Sequence, residues 1–276
     1  MITISELYVY PIKSLGGISL TTAEVTDRGL KHDRRWMLVD ENNRFLSQRE
    51  YPVMALLRVE ITDEGLRVSH KQINESIIVP FVPVNGQPCR VTVWDDTCGA
   101  VYVSDEADAW FNRMLSLNCR LVYMPEDSHR HTDTKYTSGE EITSFSDAYP
   151  LLLISKASLD DLNSRMAEPL PMERFRPNMV IDGTEPYLED IMQGFEINGI
   201  LFKGVKLCAR CVMTTIDQQT AVKGKEPLKT LASYRLKNNK IMFGQNIIYI
   251  GRGIISVGDE ANNIQFHTSE RFMVSA

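Results

Sequence analysis

Along the first half of the chain, apolar residues come in short runs that end in turn chemistry. Residues 2–12 are rich in Ile, Tyr and Val, run into Pro11-Ile12-Lys13-Ser14, and are then broken by Gly16-Gly17. Trp36-Met37-Leu38-Val39 and Arg44-Phe45-Leu46-Ser47 flank the polar tetrad 40–43, which predicts a hairpin. Residues 54–61 and 66–69 flank Asp63-Glu64-Gly65 and predict a second hairpin. Ile77-Ile78-Val79 reads as a further short strand. A third hairpin is expected from residues 90–94 and 100–103 around a turn at 95–99. Strands this short and this evenly spaced predict a β-dominated barrel.

The period then changes. Trp110, Phe111, Met114, Leu115 and Leu117 recur at helical spacing after Asp105-Glu106, whose charges suit a helix N-terminus. Residues 125–147 are polar and aperiodic and read as a long surface loop. His129 and His131 lie in it, and a solvated pair is favoured there over a metal site. Leu151-Leu152-Leu153-Ile154 predicts a buried strand, and Ser158 is the expected N-cap of a helix carrying Leu159, Leu162 and Met166. Met179-Val180-Ile181 predicts another strand. Residues 195–202 form a hairpin pattern with Asn198-Gly199 at its turn. Residues 247–250 and 254–257 read as one more hairpin about Gly251-Arg252-Gly253. The resulting fold class is mostly β with a few helices (α+β), in two segments, 1–123 and 124–276.

Composition narrows the setting. The apolar share of 43% is enough for a full core, and the net charge of −6 argues against a general nucleic-acid footprint. No apolar run reaches the length of a membrane span, and the N-terminus lacks a signal-peptide pattern, so a cytoplasmic protein is expected. Five cysteines, an odd number in a chain of this size, suit reduced thiols better than a disulfide framework.

Reactive groups concentrate in Cys208-Ala209-Arg210-Cys211-Val212-Met213-Thr214-Thr215-Ile216-Asp217. By spacing alone, Cys-x-x-Cys fits half a zinc site, a redox dithiol, one thiolate on a metal held mainly by another group, or two small buried residues with no chemical role. No second close cysteine pair completes a zinc site. The β-branched run after Cys211 looks extended, unlike the helix that follows a redox dithiol. Arg210 favours a thiolate or an anionic group nearby. Asp217 either meets a basic group or opens a turn. Lys13-Ser14 beside Gly16-Gly17 suits a phosphate, although the glycine spacing is not that of a P-loop. Arg34 and Arg35, and Arg176 with Asn178, precede strands; they make a site only if the fold brings them together.

Taken in order, several segments resemble the MOSC-domain proteins, in the branch with a MOSC N-terminal β-barrel region that includes the amidoxime-reducing components. They are Val9-Tyr10-Pro11-Ile12-Lys13-Ser14, Asp33-Arg34-Arg35-Trp36, Ser146-Asp147, Phe175-Arg176-Pro177-Asn178, Cys208-x-Arg210-Cys211-x-x-Thr214-Thr215-x-Asp217 and Phe243-Gly244-Gln245. The resemblance implies a β-barrel MOSC domain after a β-barrel-like N-terminal region. It also implies a molybdenum cofactor, a pyranopterin with a terminal phosphate, with Cys211 as the molybdenum ligand. Lys13, Ser14, Arg34, Ser146, Asp147, Arg176, Asn178 and Arg210 fall on cofactor-binding positions, and Cys211 and Asp147 are the catalytic candidates.

The implied reaction is two-electron reduction of N-hydroxylated compounds, the oxygen leaving as water. The chain lacks the Cys-x4-Cys-x2-Cys pattern of a plant-type cluster, so electrons are expected from a separate haem, iron–sulfur or flavoprotein, or from a ferredoxin-like domain outside this sequence. The alternative is a module that carries the cofactor or a sulfur species without turnover. Larger relatives of that kind have a pyridoxal-phosphate domain, for which this chain has no room. Neither nucleic acid nor membrane is an expected partner. The chain departs from the pattern at Ala148, where a hydroxyl residue is common, and at Gln218-Gln219, where a glycine is common.

Overall fold

Ile4, Leu7 and Val9 of the strand Thr3–Val9 are each at most 1% exposed and share one core, an irregularity between Ile4 and Glu6 breaking the strict alternation. In the computed structural model, which describes residues 1–268, this strand pairs antiparallel with Ile18–Leu20 and with Met179–Asp182. It therefore ties the start of the chain into a sheet built mostly from its second half. From Met179–Asp182 the sheet continues through Leu151–Ser155, Lys240–Ile250, Ile200–Ala209 and Met192–Ile197 to Asn262–Phe266. The pair Leu151–Ser155 and Met179–Asp182 is parallel, and its other neighbours are antiparallel. Leu153, Ile181, Phe195, Phe202 and Ile247 pack on one face. Ile154, Val180, Phe175 and Phe243 pack on the other, against Leu159 and Leu162 of the helix Lys156–Ser164.

The first half adds two smaller sheets. One runs Trp36–Val39, Arg120–Tyr123, Asp96–Tyr102, Pro88–Val93, and the other Leu57–Ile61, Leu66–His70, Ser76–Val79. Between them lies the helix Asp105–Leu115, whose Trp110, Phe111, Met114 and Leu115 join Trp36, Leu38, Leu57 and Val68 in one core. Ser104 caps this helix by accepting from the Ala107 N–H at 3.1 Å. Buried Asp108 accepts from the Leu121 N–H at 2.7 Å and so fixes the helix to its strand. Among the described residues the chain is mostly strand with three α-helices, the third being Leu228–Ala232. No helix among them is long and apolar enough to cross a membrane, which says nothing of a β-barrel.

Several local expectations change. The hairpin about 40–43 does close, the Asp40 N–H donating to the Arg44 carbonyl at 2.9 Å and the Leu46 N–H to the Leu38 carbonyl at 2.8 Å beside a bridge from Val39 to Phe45, but Trp36–Val39 also pairs with Arg120–Tyr123. The third hairpin turns at Trp94-Asp95, because Asp96, Thr97 and Cys98 already belong to the return strand. Ser155, not Ser158, caps the second helix, accepting from the Ser158 N–H at 3.1 Å. The expected hairpin at 247–257 does not form, since Gly253–Ser256 pairs with Thr22–Val25. Val212–Thr215 is a 3-10 turn rather than an extended run. The hairpin at Asn198-Gly199 forms as expected, both residues having positive φ. The loop 125–147 contains the short ladder Arg130–His131 with Ile142–Thr143. Residues 269–276, the end of the second expected segment, lie outside the described residues.

Candidate functional site

The strand Thr3–Val9 ends beside the start of the antiparallel strand Met179–Asp182, and the segments that leave the first and enter the second help enclose a cleft. Lys13, Ser14, Arg34, Ser146, Asp147, Arg176, Asn178, Arg210 and Cys211 all line it, although they are scattered over 199 positions of sequence. The backbone is bent to deliver them: Ser14, Arg34 and Arg176 have φ of 67°, 49° and 56°. Left-handed backbone at residues other than glycine is strained and collects at functional sites.

Tyr10, 1% exposed, organises the basic wall. Its N–H donates to the Asp33 Oδ1 at 2.8 Å and its carbonyl accepts from the Arg34 N–H at 2.9 Å. The guanidinium of Arg34 lies 4.6 Å from the ring centroid of Tyr10, and that of Arg176 4.1 Å from it. Arg34 also donates to Asp33 at 2.6 Å and to the side-chain oxygen of Asn178 at 3.0 Å. Arg176 donates to the Leu15 carbonyl at 2.7 Å. Burial disfavours the charge on both arginines. Asp33 outweighs burial at Arg34, whose pKa rises, while Arg176, further from a carboxylate, is lowered to about 10.

Lys13, 5% exposed, donates to the Phe145 carbonyl at 2.7 Å and to Asp147 at 2.6 Å. Burial lowers its pKa to about 8 despite the partner. Burial alone would raise Asp147, but Lys13, Arg49 and the Trp94 N–H hold its carboxyl well below the usual range. The Asp147 side chain is still 62% exposed to the cleft, so solvent screens the pair and its stabilising effect is modest.

The cysteine stretch forms the opposite wall. Arg210 donates to the Cys208 sulfur at 3.2 Å and to the Phe175 carbonyl, so its direct thiol contact is Cys208 rather than Cys211. Cys211 opens the 3-10 turn, and its carbonyl accepts from the Thr214 hydroxyl at 3.0 Å. All five cysteines are free thiols. Asp217 plays both roles open to it: it pairs with Arg174 at 3.2 Å and closes the turn to Thr220. Arg35 turns away to Tyr123 and Glu126. Among the described residues, no three His, Cys, Asp or Glu side chains group closely enough to hold a bare metal ion.

Three arginines absent from the sequence-level set matter here. Arg49 and Arg174 line the cleft. Arg130, 5% exposed, binds the carbonyls of Ser144, Ser146 and Asp147 and shapes the loop carrying Asp147. Isolated arginines carry no local signal, and only the three-dimensional convergence singles them out. The cleft wall thus holds six cations, Lys13, Arg34, Arg49, Arg174, Arg176 and Arg210, against one carboxylate, Asp147, in a chain of net charge −6. The buried Nε atoms of Arg174 and Arg210 have no hydrogen-bond partner. Concentrated positive charge with unsatisfied donors fits an anionic ligand, and a free thiol beside it fits a soft metal carried by that ligand.

The MOSC N-terminal beta barrel domain matches residues 1–118 and the MOSC domain residues 140–262. Mitochondrial amidoxime-reducing component 1 of Mus musculus is 34% identical over 93% of this chain and 81% of its own length. Its Homo sapiens counterpart is 32% identical over the same shares. A molybdenum cofactor sulfurase of Oryza sativa is 32% identical over 88% of this chain but only 32% of its own length. The expectation of a cytoplasmic protein is overturned, because the amidoxime-reducing relatives are named as mitochondrial. The missing signal-peptide pattern spoke only of secretion and could not choose between cytoplasm and organelle. With both domain matches and this identity across most of its length, the chain belongs to the MOSC-domain proteins that carry a MOSC N-terminal beta barrel domain.

Proposed function

We propose that this protein binds a molybdenum cofactor in the basic cleft and reduces N-hydroxylated compounds such as amidoximes and hydroxylamines. The observation that carries the reading is the meeting of six cations, two unsatisfied buried guanidinium nitrogens and the free thiol of Cys211 in one cleft. Lys13, Ser14, Arg34, Arg176, Asn178 and Arg210 would hold the pterin and its phosphate, Ser146 and Asp147 would approach the metal, and Cys211 would be its protein ligand.

When bound, the cofactor would supply two electrons, which with two protons would convert the N–O bond to N–H and water. The residues divide the remaining tasks. Asp147, kept ionised by Lys13, accepts a hydrogen bond from the substrate and orients it rather than donating a proton. Lys13, with its pKa near 8, keeps an exchangeable proton beside that carboxylate. Tyr10 and Asn178 hold Arg34 in place. Electrons come from a separate haem, iron–sulfur or flavoprotein.

The test is turnover of benzamidoxime by cofactor-loaded protein with reduced methyl viologen. Amidine formation supports the reading, and its absence from a fully loaded preparation overturns it. One observation favours a second reading, a cofactor or sulfur carrier: the matching region makes up only 32% of the rice sulfurase. A carrier would load cofactor and transfer it, or sulfur, to a partner without forming amidine.

A further inference from the structure

Trp94 occupies a position that its residue type disfavours. It opens the two-residue turn between Pro88–Val93 and Asp96–Tyr102 with φ of 58°, where Asn or Gly is the usual choice. Three contacts nevertheless fix its ring. The indole N–H donates to Asp147 Oδ1 at 3.1 Å, the guanidinium of Arg49 lies 4.0 Å from a ring centroid, and Phe45 packs at 5.1 Å. The residue remains 44% exposed, so part of the ring is open to solvent. Trp36 and Trp110, by contrast, are 1% and 4% exposed.

The open ring looks into a second cavity. Trp94, Asp95, Asp96, Thr97, His131 and Asp133 are among its lining residues, and it shares Asp147 and Ala148 with the basic cleft. Asp147 therefore stands between two compartments of opposite character. The first is crowded with cations. In the second, Arg130 is the lysine or arginine in the wall, already bound to Asp96 and to backbone carbonyls, and aspartates dominate the remaining charge. A large anion is favoured in the first and disfavoured in the second.

We propose that this second cavity is where substrate approaches Asp147, and that Trp94 is its specificity-determining residue, selecting flat conjugated N-hydroxylated compounds over aliphatic or anionic ones. The inference rests on the reductase reading for its choice of substrate. A flat ring gains by lying on the exposed indole, which its other contacts already hold still, so little ordering cost remains. Ala148, with only a methyl side chain, adds little bulk where the two compartments adjoin. A carboxylated substrate would meet the aspartates instead.

Intrinsic fluorescence tests this without turnover, because Trp94 is the exposed one of the three tryptophans. Benzamidoxime and its product benzamidine should change the emission of the wild type and leave that of Trp94→Leu unchanged, while acetamidoxime should act only at much higher concentration. In loaded enzyme, Trp94→Leu should lower the benzamidoxime-to-acetamidoxime ratio of kcat/KM by about threefold to tenfold, the span to which aromatic stacking converts. Trp94→Phe should recover part of that ratio. Trp94→Gly, which suits the positive φ but loses the ring's contacts, should show the same lost selectivity. Wild-type emission indifferent to benzamidoxime, or a selectivity ratio unchanged in Trp94→Leu, overturns the proposal. The emission response without amidine formation would instead sink the reductase reading and leave the binding site standing.

Discussion

The ammonium of Lys13 and the carboxylate of Asp147 meet at 2.6 Å across 134 positions of sequence, joining the turn after the first strand to the loop before Leu151–Ser155. Through this pair the N-terminal segment completes a cleft whose remaining walls come from the second half of the chain. It also sets a pH window. The folded pKa of Lys13, about 8, lies below the value near 10.4 of an unfolded lysine.

Between these two values the unfolded chain binds more protons, so the contribution of Lys13 to stability improves as pH rises through the window. Anion binding runs the other way, because the cleft loses a cation as Lys13 deprotonates. Pyrophosphate affinity of the cofactor-free protein, measured by calorimetry, is therefore expected to fall above about pH 8. Asp147→Asn removes the group that supports the charge, so it should move this fall to lower pH. A fall that begins only near the pKa of free lysine, or one that Asp147→Asn leaves in place, would contradict the assignment.

Gly17 is needed because Tyr10 fills the space beside it: an added Cβ would come within 2.4 Å of the ring. Gly17→Ala should destabilise the fold by about 1–3 kcal/mol, the usual cost of overpacking, and loosen Arg34 and Arg176 by shifting the ring beneath them. Denaturant titration and pyrophosphate affinity should fall together. Tyr10→Phe should be neutral or slightly stabilising, since the buried Tyr10 hydroxyl has no partner. A large loss of stability in Tyr10→Phe would show that the hydroxyl is in fact satisfied.

Arg130 is 5% exposed and binds three carbonyls of the loop 144–147. Arg130→Met should cost about 3 kcal/mol, as expected when one member of a buried polar network is removed. Limited proteolysis should then cut near Asp147 before elsewhere. Unchanged stability and an unchanged cleavage pattern would mean that the loop holds its shape without Arg130.

Much of the site could be read from the chain because its residues sit in short local patterns. Lys13-Ser14 follows a strand, Arg176-Pro177-Asn178 precedes one, and the cysteines stand three apart. Asn198-Gly199 dictated its hairpin through turn chemistry alone. The errors came where distant pairing decides. Gly253–Ser256 pairs with Thr22–Val25 instead of its sequence neighbour, and Trp36–Val39 gains Arg120–Tyr123 as a second partner beside its hairpin arm. The extended reading of Val212–Thr215 failed because a 3-10 turn satisfies the Cys211 carbonyl locally. Arg49, Arg130 and Arg174 escaped notice because nothing in their neighbouring residues distinguishes them from solvated charges. The turn at Trp94 was misplaced because a tryptophan is not a turn signal.

The central claim, that Cys211 is the protein ligand of a cofactor metal while Cys208 serves Arg210, is tested most directly by molybdenum content. Protein purified from a host that makes the cofactor should contain close to one molybdenum per chain by elemental mass spectrometry. Cys211→Ser should lose most of it, whereas Cys208→Ser, which alters a contact with Arg210, should keep most of it. Equal molybdenum in wild type and Cys211→Ser, or none in any of the three with pterin also absent, would contradict the account.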